Sequence, residues 1–265
     1  MKILFLVLDT FAPEYQVLKQ AQLNTWCKDA ISVGHRVVFY RGNVNSENLF
    51  KDQTLTVKSN DSISNSTHKL VLAIEHCLEN MKDYDYIYRT NLSSYIDVKM
   101  MEAYLAAHAT NLDALVYAGV IGLHYSKPVS LLRMLIFQVP YLRGRSIKFK
   151  STRFASGSGF FLAWRTCDLI IKNRNIINYK LIDDVAIAKL LFSFGILPSS
   201  LPRIDTLDDY NKKQDSLIHF PHDSQVFHYR IKGASRIKDS ISMHWLHSKS
   251  NKLDAMRSLR CFVKM

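Results

Sequence analysis

The feature that most constrains the fold of this chain is a regular alternation of strand-like and helix-like segments over residues 3–108. It begins with Ile3-Leu4-Phe5-Leu6-Val7-Leu8, a continuous apolar run of the kind that a strand buried on both faces requires. Residues 13–31 follow as an amphipathic helix, with Pro13 in its first turn and Gly34 beyond its end. A second strand is expected at 36–41, then a polar stretch at 42–66. Residues 66–81 place Leu70, Ile74, Cys77 and Leu78 on one helical stripe. A third strand at 85–90 runs into the loop Asn91-Leu92-Ser93-Ser94, and a further helix is expected at 97–108. Strands and helices in this order build a parallel sheet covered on both faces. Ligands of such sheets bind beyond the carboxyl ends of the strands. Asp9, Thr10, Phe11, Arg41 and the segment 90–94 are therefore expected around one crevice.

The second half is less regular. A strand is expected at 116–121, and a basic, apolar insertion at 126–150 with helical character through 128–138. The run Phe154-Ala155-Ser156-Gly157-Ser158-Gly159 is expected as a turn into a strand at 160–164. Helices are expected at 165–173 and 183–194, the latter opening on Asp183 and Asp184. The tail 203–265 reads as short scattered elements and holds a loose cluster of His222, His228, His244 and His247. Without an internal repeat or a low-complexity linker, one domain is expected over 1–265, made of halves 1–110 and 111–265.

Several classes are excluded or disfavoured. The turn after the first strand reads Leu8-Asp9-Thr10-Phe11-Ala12-Pro13, not a dinucleotide-binding glycine fingerprint. No P-loop Gly-Lys-Ser/Thr is present, and Ala155-Ser156-Gly157-Ser158-Gly159 lacks the first glycine of a nucleophile elbow. The four cysteines are far apart and have no zinc-ligand spacing, which suits a reducing compartment. The apolar run at the start ends at Asp9 with no cleavage site, and no segment reaches membrane-spanning length, so a soluble, cytoplasmic protein is expected. The net charge of +12 suits polyanions, anionic membrane surfaces or phosphorylated ligands, and equally a basic solvated surface with no dedicated partner. Its one dense run, Arg143, Arg145, Lys148, Lys150 and Arg153, carries no nucleic-acid signature, so no nucleic acid is expected as a partner.

Five segments, in order, resemble the inverting beta-1,3-glycosyltransferases and Fringe-like enzymes of the GT-A fold. They are Gln20-Ala21-Gln22-Leu23-Asn24-Thr25-Trp26, Asn65-Ser66-Thr67-His68-Lys69-Leu70, the strand and loop from Tyr84 to Tyr95, the turn Phe154 to Phe160, and Ile182-Asp183-Asp184-Val185. Together they span roughly residues 1–195. The resemblance implies a GT-A-like, Rossmann-type three-layer α/β/α sandwich with a mostly parallel central sheet. It also implies a nucleotide-sugar-binding half (1–110) and an acceptor-binding, catalytic half (111–265). A nucleoside diphosphate sugar, UDP-linked, would be the donor, and a glycan hydroxyl the acceptor.

The same resemblance makes Asp184 the general base, with Asp183 and the backbone-accessible run Ser156, Gly157 and Ser158 on the acceptor side. Read from the residues alone, the two acids equally complement a helix N-terminus, an effect of about 0.3–1 kcal/mol. The Gly/Ser run equally suits an ordinary turn. Thr10, Thr25, Arg41, Lys69, Arg89, Asn91 and Ser93 are the candidate donor contacts, although Lys69 also suits a first-turn surface position after a Ser66 or Thr67 cap.

The resembled family holds a divalent metal by the last acid of a DxD-type triplet, where this chain has Asn91-Leu92-Ser93. Two ways of stabilising the departing diphosphate stay open. Mn or Mg could be held by Asn91 or Ser93 with a remote ligand such as His228, a set poor in the charged oxygens these ions prefer. Alternatively, His228, Arg230 and Lys232, on one face of an extended segment, could meet the phosphates directly. That segment equally suits an edge strand with a solvated basic face. A non-catalytic glycan- or nucleotide-binding protein of the same fold, and a basic nucleic-acid-binding protein, are the alternative functions.

Overall fold

A computed structural model describes residues 1–46, 48–108, 115–126, 151–207, 226–233 and 235–262. Most of the basic insertion (127–150) and His222 lie outside these residues.

The alternation read from the sequence builds the centre of an eight-stranded sheet. In chain order its elements are β1 (Ile3–Leu8), α1 (Pro13–Asn24), α2 (Trp26–Ser32), β2 (Arg36–Gly42), β3 (Leu49–Lys51), β4 (Thr54–Val57), α3 (Ser66–Asn80) and β5 (Tyr86–Asn91). There follow β6 (Ser94–Ile96), α4 (Val98–Ala107), β7 (Tyr117–Tyr125), β8 (Ser151–Ala163), α5 (Trp164–Lys172) and α6 (Asp183–Ser193). The chain closes with β9 (Ser199–Ser200), β10 (Ile204–Leu207), β11 (His228–Lys232) and α7 (Arg236–Phe262). The sheet order is β3-β4-β2-β1-β5-β8-β7-β9. Strands β4, β2, β1 and β5 run parallel, β8 is antiparallel to both its neighbours, and β3 folds back on β4. A second sheet, β10-β11-β6, stands over the carboxyl end of β5.

Helices cover both faces, giving the expected three-layer α/β/α sandwich. On one face Phe5, Val7, Tyr88 and Phe161 pack with Leu18 of α1, Trp26 of α2, Met101 of α4 and Leu246 of α7. On the other, Leu4, Leu6, Ile87 and Leu162 pack with Leu70 and Ile74 of α3, Ile170 of α5 and Ile187 of α6. The strict change of face along β1 and β5 follows from the period of two in a strand. Cys27, Cys77 and Cys167 are free and buried in these cores, where loss of hydration pushes each thiol up, Cys77 to about 12.

Four local expectations change. The helix expected at 13–31 breaks at Thr25, whose backbone leaves the helical region (φ −122°, ψ −114°) so that Trp26 can enter the core. The polar stretch after β2 contains the hairpin β3–β4, turned by Asp52 and Gln53 with φ of 48° and 61°. The Gly/Ser run 154–159, expected as a turn, lies inside the 13-residue strand β8: β7 pairs with Phe154 and Ala155, β5 pairs with Gly159, and residues 156–158 fall at the register shift between Gly119 and Ile121. In the tail, expected as short elements, β10 and β11 are short, but Arg236–Phe262 forms the 27-residue helix α7.

Candidate functional site

The carboxyl ends of β1 and β5, the start of α3, strand β11 and the start of α7 enclose a cleft of about 320 Å³. Its lining includes Asp9, Thr10, Asp61, Lys69, Asn91, Ser93, Arg230, Lys232 and Arg236, with Tyr15, Ile63 and Leu92 as the apolar part. This is the crevice that the strand–helix alternation predicts.

The two carboxylates of the cleft are engaged within the protein. Asp9 accepts from Lys19 Nζ at 2.7 Å and from its neighbour Thr10 N at 2.8 Å, and Arg41 approaches it to 4.0 Å while stacking on Phe11 at 3.8 Å. Asp61 accepts from Thr10 Oγ1 (2.8 Å), Phe11 N (2.9 Å), Gly42 N (3.0 Å) and Lys69 Nζ (3.1 Å). Partial burial works against its charge, but these donors outweigh it and hold the carboxyl below its ordinary range. Asp61 thus joins the ends of β1 and β2 to the first turn of α3, and fixes the floor of the cleft.

The turn Asn91-Leu92-Ser93 is closed on itself. Asn91 Oδ1 accepts from Ser93 N (3.1 Å), Ser93 Oγ (2.8 Å) and Ser94 Oγ (3.2 Å). Gln22 of α1 ties down the backbone carbonyls of Asn91 and Ser94 at 3.0 and 2.7 Å. A divalent cation here needs oxygens with spare lone pairs and at least one carboxylate. Asn91 Oδ1 has none spare, Ser93 Oγ donates to it, and Asp9 and Asp61 are occupied by cations and amides. Among the described residues no group of three His, Cys, Asp or Glu side chains converges to hold a metal ion. The described residues that line the cleft do not fit Mn or Mg.

Strand β11 brings Arg230 and Lys232 to the cleft on the face anticipated from the sequence, and His228 on that face lies deeper. Both ring nitrogens of His228 are engaged: Nδ1 lies 2.8 Å from Tyr88 Oη and Nε2 lies 3.0 Å from Ser94 Oγ. Ser94 Oγ donates to Ser158 O or Asn91 Oδ1, at 3.0 and 3.2 Å, so it accepts from Nε2–H, and Nδ1 accepts from Tyr88. Burial, with Arg203 and Arg230 nearby, lowers the histidine well below its ordinary range and keeps it neutral. His228 therefore braces the Asn91–Ser94 turn from behind and does not face the cleft. Gly159 is required beside it, since a β-carbon there would overlap the His228 ring and the Tyr88 hydroxyl.

The proposed acceptor-side residues gather next to the cleft, outside its lining. Arg89 and Asp183 form a buried ion pair at 2.5 Å, with Tyr40 Oη 3.3 Å from Arg89 Nε. Burial opposes the Arg89 charge, but Asp183, Tyr40 and Asp184 outweigh it and raise its affinity for the proton. Asp184 accepts from Gly157 N and from its neighbour Val185 N, each at 2.8 Å. Burial first and repulsion by Asp183 second raise its pKa above the ordinary carboxylate value. Gly157 packs so closely that a β-carbon would lie 3.1 Å from both Arg89 Nη1 and Asp184 Oδ2. Ser156 and Ser158 bond each other at 3.0 Å and both accept from Arg203 Nη1.

Of the donor-side candidates, then, Thr10, Lys69, Asn91, Ser93, Arg230 and Lys232 converge on the cleft. Arg41 stands behind Asp9. Thr25 is buried at the α1–α2 junction, where its hydroxyl donates to Ala21 O at 2.7 Å, and Arg89 and His228 are interior. Sequence reasoning missed Asp61, Tyr15, Arg236 and Arg203. Of these only Arg236 had a local signal, the (i, i+3) spacing to Asp239 that it bonds at 2.8 Å.

No protein-family model matches the chain, and no curated protein matches it. Among solved structures, it is similar to a glycosyltransferase involved in glycosylation of the major capsid of PBCV-1, with a TM-score of 0.49, 8% identity, and coverage of 92% of this chain and 100% of that one. It is also similar to the galactosyltransferase LgtC bound to donor and acceptor sugar analogues (TM-score 0.41, 11% identity, 94% and 96% covered). A third similar structure is the Francisella tularensis 2-C-methyl-D-erythritol 4-phosphate cytidylyltransferase IspD (TM-score 0.40, 12% identity, 76% and 89% covered). These overlaps are too loose to transfer an activity. No helix among the described residues is long and apolar enough to cross a membrane.

Proposed function

We propose that the chain is a glycosyltransferase that moves a sugar from a nucleoside diphosphate, UDP-linked, to a hydroxyl of a glycan, with inversion. The observation that carries this reading is the cleft itself. It lies at the carboxyl ends of parallel strands, and of the four cations in its lining Lys69 is paired with Asp61 and Arg236 with Asp239, while Asp9 is paired with Lys19 from outside the lining, so Arg230 and Lys232 carry the positive charge that the lining presents. A polyanionic ligand suits that balance, and Tyr15 and Ile63 offer an apolar surface to a base or sugar. In the reaction, the acceptor oxygen bonds to the anomeric carbon as the bond from that carbon to the phosphate oxygen breaks. The nucleoside diphosphate leaves and the acceptor proton passes to Asp184. The raised pKa of Asp184 brings it closer to the range a general base needs, and its bond to Gly157 ties it to the strand segment assigned to the acceptor.

The burial of Asp184 (7% exposed), outside the lining of the cleft, favours a second reading in which Asp183, Asp184 and Arg89 are a structural clamp of a nucleotide- or glycan-binding protein. Mass-spectrometric detection of sugar transfer from a panel of UDP-, GDP-, CDP- and TDP-sugars to glycan acceptors tests both. Transfer that falls by about 10²–10⁴ in Asp184→Asn, with the fold intact, supports the enzyme and its base. Wild-type transfer in that variant removes Asp184 from the chemistry. Nucleotide binding without transfer or donor hydrolysis supports the binding protein.

A further inference from the structure

We propose that a diphosphate in this cleft is neutralised by Arg230 and Lys232, presented by β11, in place of a divalent cation. The inference rests on the reading of the cleft as the donor site and goes beyond it by assigning the counter-charge. Three observations converge on it. The turn 91–93, where a metal-binding acid would stand, has its one side-chain carbonyl accepting from both Ser93 N and Ser93 Oγ. The two carboxylates lining the cleft are each paired with a lysine, Asp9 with Lys19 and Asp61 with Lys69, and Asp61 accepts two backbone amides besides. A cation could displace these partners only by leaving ammonium groups and amides without acceptors.

The third observation is that positive charge is already built in and held in place. Ile231 N donates to Ser93 O at 2.7 Å, so β11 is fastened to the turn and its alternate residues, 230 and 232, flank Ser93. Arg230 forms an ion pair with Asp205 at 3.6 Å, and Asp205 is itself clasped by Arg203 Nε and Nη2 at 2.5 and 2.9 Å. Lys232 is exposed at the mouth. A guanidinium on a strand fastened to the turn and an ammonium two residues away offer phosphate oxygens directional donors and a mobile point charge.

Isothermal titration of the full chain with UDP, GDP, CDP and TDP, in excess EDTA and then in MnCl₂, tests the assignment. Affinity that changes less than about threefold between the two conditions, and that weakens about tenfold or more in Lys232→Gln in EDTA, is the expected result; tenfold corresponds to about 1.4 kcal/mol. Lys232 is exposed, so the variant keeps the fold, and an unchanged thermal melt confirms it. Asn91→Asp, which adds a carboxylate at the turn, is expected to introduce a dependence on Mn that the wild type lacks. Binding seen only with Mn overturns the assignment and leaves the donor-site reading standing. Wild-type affinity of Lys232→Gln in EDTA also overturns it. Binding of none of the four nucleotides under either condition overturns both.

Discussion

The ion pair between Arg89 and Asp183 offers the sharpest energetic test of how the site is held. Arg89 projects from β5 and Asp183 from the first turn of α6, and they retain 3% and 5% of their exposure. Asp183→Asn preserves volume and removes one charge, leaving the guanidinium in the interior. Breaking a buried pair on one side costs about 3–5 kcal/mol. Arg89 keeps Tyr40 Oη at 3.3 Å and the nearby charge of Asp184, which places the expected loss at the low end, about 3 kcal/mol. With a urea slope of about 3 kcal/mol/M the midpoint falls by about 1 M, measurable by circular dichroism. Replacing both partners with apolar residues, Arg89→Met with Asp183→Leu, is expected to recover most of the loss, because the cost lies in the orphaned charge. An Asp183→Asn midpoint shifted by less than the equivalent of about 0.5 kcal/mol, the range of ordinary surface changes, refutes the argument.

Other consequences can be measured independently. His228 is neutral and depressed in the fold but takes up a proton near pH 6.5 when unfolded, so its contribution to stability is present above that pH and is lost as pH falls below it, by about 1.4 kcal/mol per unit. Urea midpoints from pH 7 to 5 are therefore expected to fall less steeply in His228→Gln than in the wild type, and parallel slopes count against a buried neutral ring. Gly159→Ala is expected to cost about 1–3 kcal/mol in a thermal melt by driving a methyl into His228 and Tyr88; a neutral result means the brace has slack. In the β3–β4 hairpin, Asp52→Asn with Gln53→Gly relieves two left-handed residues and is expected to stabilise by about 0.5–1 kcal/mol, whereas a loss contradicts the turn geometry.

The legible parts of the fold were those in which local pattern and tertiary role agree. The apolar run 3–8, the stripe through Leu70, Ile74 and Cys77, and the acids opening α6 all match their buried or terminal positions. The run 154–159 misleads because glycine and serine are turn formers locally, yet β5 and β7 recruit it into a strand, and Gly157 and Gly159 are there for close packing against Asp184 and His228. Helix α7 is obscured by its many basic and histidine residues, and only the burial of Met243 and Leu246 in the core shared with α1 reveals its inner face. In the site, Arg230 and Lys232 follow from strand periodicity. Asp61 sits in a polar stretch with no pattern, and its role depends on contacts to Thr10 and Gly42, 51 and 19 residues away. Nothing local signals such a hub.

The central claim is that the cleft receives a nucleoside diphosphate sugar. A thermal-shift titration against UDP-, GDP-, CDP- and TDP-sugars tests it directly, since a ligand specific for the folded state stabilises by about 2.7 kcal/mol at a hundredfold excess over Kd. The account predicts a saturable rise with one nucleotide class, diminished in Lys232→Gln. A flat response to all four, from a protein with a cooperative melt, contradicts it.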